Sequence, residues 1–118
     1  MNGMPAIPAS AKTSLEQRLQ ARARGRWPAL RGVIVRFRTS FAHVDGRPAD
    51  GEVRPLCRLR YVGSASSWGF GFYRASRMDY EDSILPSGSF AGAPEEALDR
   101  AAGAYLNGPT AWDPSPTN

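Results

Sequence analysis

The chain has 118 residues, with 15 basic and 11 acidic side chains and a formal net charge of +4, a length that favours one small domain. Its 42% hydrophobic and 22% charged content excludes wholesale disorder, and no apolar run approaches the roughly 20 residues of a membrane helix. Cys57 and His43 are the only residues of their kinds, which excludes an internal disulfide scaffold, a multi-cysteine zinc site and a two-histidine metal site.

The opening stretch, MNGMPAIPASAKTS, has no apolar region behind a positive charge, so no secretory signal is read and the cytoplasm is the expected compartment. Residues 1–12 carry Pro5 and Pro8 without periodicity and are expected to be a flexible tail. A helix is predicted from Thr13, where Thr13-Ser-Leu-Glu16 fits the reciprocal capping box. Leu15, Leu19, Arg22 and Ala23 follow at helical spacing, a thin apolar stripe that predicts weak docking. Gly25 and Pro28 end the helix.

Residues 32–38, GVIVRFR, alternate as a strand, and 41–45, FAHVD, read as a second short strand or a continuation past a bulge near Thr39-Ser40. Asp45-Gly46 and Asp50-Gly51 are expected to be turns. Strands are predicted at 56–62 (LCRLRYV) and 68–74 (WGFGFYR), joined by a turn over Gly63-Ser-Ala-Ser-Ser67, with a final strand at 80–85 and a loop from Pro86 to Ala93. Pro94, Glu95 and Glu96 suit a helix N-terminus, and Leu98, Ala101, Ala102 and Tyr105 form its packing stripe. Asn107-Gly108-Pro109 stops it, and 109–118 reads as a proline-rich tail.

These elements predict one α+β domain over residues 13–108. It is an antiparallel sheet of four to five strands, with an N-terminal and a C-terminal helix packed on one face. The buried face is expected to carry Val33, Val35, Phe37, Cys57, Leu59, Tyr61, Trp68, Phe70 and Phe72, and the open face Arg36, Arg38, Arg58, Arg60 and Tyr73.

Residues 1–60 hold 12 basic and 4 acidic side chains, and residues 61–118 hold 3 and 7. Such asymmetry suits an anionic partner for the basic half. Guanidinium groups meet phosphates in a two-pronged way, glycines admit close approach, and tyrosine stacks on unpaired bases. The nucleic-acid-binding candidates are therefore Arg36, Arg38, Arg58, Arg60 and Tyr73, with Arg22, Arg24 and Arg26 at the end of the first helix extending the patch. Neutralising about four phosphates would give a log–log salt slope of about −3.6 on duplex DNA. The alternative is a solvated charged face in which Glu81 or Glu52 pairs with these arginines.

Cys57 and His43 lie on predicted strands, with Cys57 on the apolar side, so structural roles are expected for both. The cluster Asp79, Glu81 and Asp82 fits no Ca²⁺ loop, and Gly69-Phe-Gly71 lacks the spacing of a phosphate loop. No catalytic residue, metal or cofactor is expected.

Three resemblances bear on the chain. PLCRLRY at 55–61, GSASSWGF at 63–70, YRAS at 73–76, YEDSILPSG at 80–88 and APEEALDRAAGAYL at 93–106 are similar to a family of short actinomycete proteins that implies no particular activity. Three strands followed by a helix resemble the arm-type DNA-binding domains of integrases, which implies DNA held on the open sheet face. ILPSGSFAGAPEEALDRAAGAYL resembles the end of HicB-type antitoxin domains, which implies a protein partner or a dimer. The expectation is a non-enzymatic binding module that takes DNA or RNA, with an antitoxin-like protein-interaction module as the alternative and no membrane partner.

Overall fold

Segments whose apolar residues recur at every second position pair into one antiparallel sheet, because that period puts all of them on a single side. The computed structural model of the chain describes residues 6–48, 51–74, 78–83 and 88–106. Within them run α1 (Ala9–Arg26), β1 (Leu30–Arg38), β2 (Phe41–Pro48), β3 (Arg54–Ser64), β4 (Ser67–Arg74), β5 (Asp79–Ser83), β6 (Ala91–Gly92) and α2 (Pro94–Leu106). The first five strands form an antiparallel meander in chain order, and β6 adds to β4 beside the end of β5. The architecture is α+β, with α1 over β1 and α2 over β3 and β4. No helix among the described residues is long and apolar enough to cross a membrane.

The expected division of faces holds. Val33, Val44, Cys57, Leu59, Trp68 and Phe70 are buried beneath the helices, with Val35, Phe37, Tyr61 and Phe72 partly buried around them. Trp68 is fully buried, yet its indole N–H donates to the Ala65 carbonyl at 2.9 Å, so its polar edge is satisfied. Each such large side chain contributes roughly 1.5–3 kcal/mol on leaving water.

Helix α1 begins earlier than Thr13. It starts at Ala9 after Pro8, with no side-chain cap, and Thr13 and Glu16 lie within it. Ala11, Leu15, Leu19 and Ala23 are all buried, and Ile7 is buried just before the helix. One more turn of the apolar stripe therefore meets the core, and that burial outweighs the local capping signal.

Asp45-Gly46 is not a turn. Both residues lie inside β2, where Asp45 pairs with Pro55 and Gly46 with Arg54 of β3. Leu30 and Leu56 close over Gly46: a Cβ there would lie 3.0 Å from Leu56 Cδ1 and 3.1 Å from Leu30 Cδ2. The glycine serves close packing rather than chain reversal. Register slips between Val44 and Asp45, so Leu56 is the extra residue of a bulge and both Leu56 and Cys57 are buried.

The stretch expected as loop before α2 contains β6, which is too short to carry a periodic signal. Reversal between β1 and β2 falls on Thr39-Ser40, with Thr39 at φ 51°. Asp50, residues 84 and 85 of the last expected strand, the stop at 107–109 and the tail at 109–118 lie outside the described residues.

Candidate functional site

The face of the sheet turned away from the helices is built by register. One row across it runs Arg36, His43, Arg58, Gly71 and Asp82, from β1 to β5. The next runs Arg38, Phe41, Arg60 and Gly69, ending on Ala91 of β6. Tyr73 and Tyr80 face each other across β4 and β5. The sheet thus brings Arg36, Arg38, Arg58, Arg60 and Tyr73 together on one surface.

These arginines differ in their partners. The Arg36 guanidinium donates to both oxygens of buried Asp45, at 3.2 and 3.3 Å. Arg58 donates to Asp82 at 3.1 Å, and its guanidinium carbon lies 4.6 Å from the Phe41 ring centre and 5.4 Å from that of Tyr80. Arg58 is therefore wedged between two rings and held by a carboxylate. Arg38 and Arg60 are exposed, and among the described residues neither has a carboxylate within ion-pair distance. The acids that meet the open-face arginines in these pairs are Asp45 and Asp82.

Arg60 lies across Gly69, where a Cβ would come 3.4 Å from its Nε and Nη2. At Gly71 a Cβ would meet Asp82 Oδ1 at 3.4 Å and Arg58 Nε at 3.5 Å. The two glycines form a bare floor on which long side chains lie flat. Arg58, Arg60, Gly69, Gly71, Asp82 and Phe90 line a cleft of about 110 Å³ over this floor. Phe90 is 74% exposed at the rim of this cleft.

An aromatic belt joins the cations. Tyr73 and Tyr80 meet edge to face at 5.1 Å, His43 meets Tyr80 in the same way at 5.3 Å, and Phe41 lies 6.5 Å from His43. Burial, together with the positive charges of Arg36 and Arg58, lowers the His43 pKa, so its imidazole is neutral at neutral pH. Burial raises the Tyr80 pKa, and Asp45 adds to that. Sequence reasoning missed Phe41, Tyr80 and Phe90 as members of this face. The signal for Phe41 was the small Ala42 and Val44 alternating with it, which left the larger ring for the open side.

The remaining candidates lie on the helical layer. Arg22 donates to Asp99 at 3.1 and 2.6 Å, Arg26 approaches the same carboxylate at 3.7 Å, and the Trp27 indole donates to it at 2.9 Å. Arg18 makes the parallel two-pronged pair with Glu95, at 2.7 and 2.8 Å. Arg24 is exposed in the last turn of α1, where the carbonyl end of a helix favours positive charge. Arg22, Arg24 and Arg26 therefore do not extend the open-face patch. They serve the α1–α2 contact and the helix end.

Cys57 and His43 stand on opposite faces of the sheet, so the thiol and the imidazole do not meet. Burial pushes the Cys57 thiol well above its ordinary range. Strand alternation also divides the acidic cluster. Tyr80 and Asp82 share the open face while Asp79 and Glu81 point the other way, and no metal-ready group of side chains occurs among the described residues. No family model, curated protein or solved structure matches this chain, so its function is read from the open face alone.

Proposed function

We propose that the chain is a non-enzymatic binding module whose open sheet face takes nucleic acid. The observation that carries this reading is the row Arg38, Phe41, Arg60 and Gly69. It sets two guanidinium groups that meet no carboxylate among the described residues on either side of an aromatic ring, with Gly69 beneath Arg60. Arg38 and Arg60 stand two strands apart, about 10 Å at the backbone, and each can meet one phosphate through paired N–H donors.

Because Arg36 and Arg58 are already engaged by Asp45 and Asp82, the electrostatic contribution is smaller than four open arginines would give. Two contacts correspond to a log–log salt slope of about −1.8 on duplex DNA and about −1.4 on a single strand. Fluorescence anisotropy with short labelled DNA and RNA probes across a salt series is the test. Binding at low salt that Arg38→Ala with Arg60→Ala abolishes supports the reading. Absence of binding to every probe, or binding indifferent to the double substitution, overturns it.

A further inference from the structure

Resting on that reading, we propose that the ligand is single-stranded, with one unpaired base entering the cleft between Phe90 and the Arg58–Arg60 wall. The cleft is a slot rather than a flat surface. Gly69 and Gly71 lie at its base with the Arg60 and Arg58 side chains close over them, and Asp82 and the Phe90 ring complete its lining. Glycine at both floor positions lets the Arg60 and Arg58 side chains lie close over the strand, so a planar group entering the cleft would stack on them.

Duplex bases are stacked on their neighbours and offer only edges and phosphates to a protein surface. A half-exposed aromatic belt and an exposed phenylalanine gain nothing from such a ligand. An unpaired base offers a π-face, which aromatic rings and arginine planes accept whatever its identity. The Arg60 guanidinium lines the slot, and Arg38 stands across Phe41 from it. Both cations therefore lie on the β3 side of the slot, Arg60 at its edge and Arg38 two strands further out, where successive phosphates of one strand can meet them. With Arg36 and Arg58 already engaged by Asp45 and Asp82, stacking as well as charge must supply the affinity.

The test compares a short fluorescein-labelled DNA strand, the RNA of the same sequence and the corresponding duplex, against the full chain and its Phe90→Ala and Phe90→Trp variants. Phe90 is exposed, so neither substitution disturbs the core. Single strands are expected to bind more tightly than the duplex. Phe90→Ala is expected to weaken single-strand binding by about 5- to 150-fold, the worth of one stacked base. It should leave duplex binding unchanged, and Phe90→Trp should restore the affinity. Tighter binding of the RNA than of the DNA strand, or the reverse, supports the proposal and identifies which sugar the site prefers.

Equal affinity for duplex and single strand overturns the proposal, as does single-strand binding that Phe90→Ala leaves intact. In both cases loss of binding in the Arg38→Ala, Arg60→Ala variant preserves the broader reading. Failure of every probe to bind removes both.

Discussion

The side-chain amide of Gln20 engages both backbone polar groups of Val33: its N–H₂ donates to the Val33 carbonyl at 2.6 Å, and its oxygen accepts from the Val33 amide at 3.2 Å. β1 is the outer strand of the meander. Gln20 therefore fills the place of a further strand at this point and blunts an edge that could pair with another chain.

Replacing Gln20 with alanine should cost about 1–3 kcal/mol, the worth of two hydrogen bonds at a partly buried edge. It should also uncover the Val33 N–H and C=O. We expect a lower thermal midpoint together with a rise in dimer on size-exclusion chromatography as concentration increases. A variant that melts like the wild type would show that water replaces the amide without loss.

The two arginine–carboxylate pairs between α1 and α2 predict an acid limb of stability. Glu95 is held below its ordinary range chiefly by the hydrogen bond from Arg18. At Asp99 burial works upward, but the hydrogen bonds from Arg22 and Trp27 outweigh it and the net shift is downward. A depressed folded pKa means that the unfolded chain binds protons first on acidification. The stabilisation is present above the ordinary carboxylate range, about pH 4 to 4.5, and is lost as the pH falls through the lowered folded values. Thermal midpoints measured down that range should drop. Glu95→Gln with Asp99→Asn should lower the midpoint at neutral pH and flatten the acid limb. Parallel acid limbs in the two proteins would place the titrating groups elsewhere.

Cys57 lies under the helices with its thiol kept neutral by burial. A thiol reagent at neutral pH should react with it only at the rate of global or local opening. Labelling should become immediate in denaturant. Rapid labelling of the native chain would mean that the sheet between β2 and β4 opens far more readily than its packing implies.

Asp82 occupies Arg58 in the way a phosphate would. Asp82→Asn should therefore tighten nucleic-acid binding and steepen the log–log salt slope by about 0.7 to 0.9, one added contact. Glu16→Gln removes the same charge from exposed α1 and serves as the control for net charge. An equal gain in both variants would assign the effect to overall charge rather than to Arg58.

The sheet was legible in the sequence because its signal is local. Val33, Val35 and Phe37, then Cys57, Leu59 and Tyr61, then Trp68, Phe70 and Phe72 each declare a buried side at a period of two. What escaped depends on partners distant in the chain. Nothing near Arg22 reveals that Asp99 will hold it, and nothing near Asp45 reveals that Arg36 will keep it in a strand rather than a turn. Gly46 was misread for the same reason, since the leucines that close over it come from two other strands. At α1 a real local pattern, Thr13 to Glu16, was overruled by one more buried turn around Ala11. The open-face arginines were placed on the right side by alternation alone. The cleft was not, because Phe90 follows a stretch without periodicity and joins the face only through β6.

The pairs that join the two helices span 77 residues, Arg18 to Glu95 and Arg22 to Asp99. During synthesis the carboxylate partners of α1 leave the ribosome about 4 to 15 s after it at the usual 5–20 residues per second. Throughout that interval the alanines and leucines of α1 can lie against β1, but Arg18 and Arg22 lack their carboxylates while the sheet grows hairpin by hairpin. Closure of the α1–α2 pairs thus follows completion of the meander. A truncation between β5 and α2 keeps the five strands of the meander and removes the latch of its first helix.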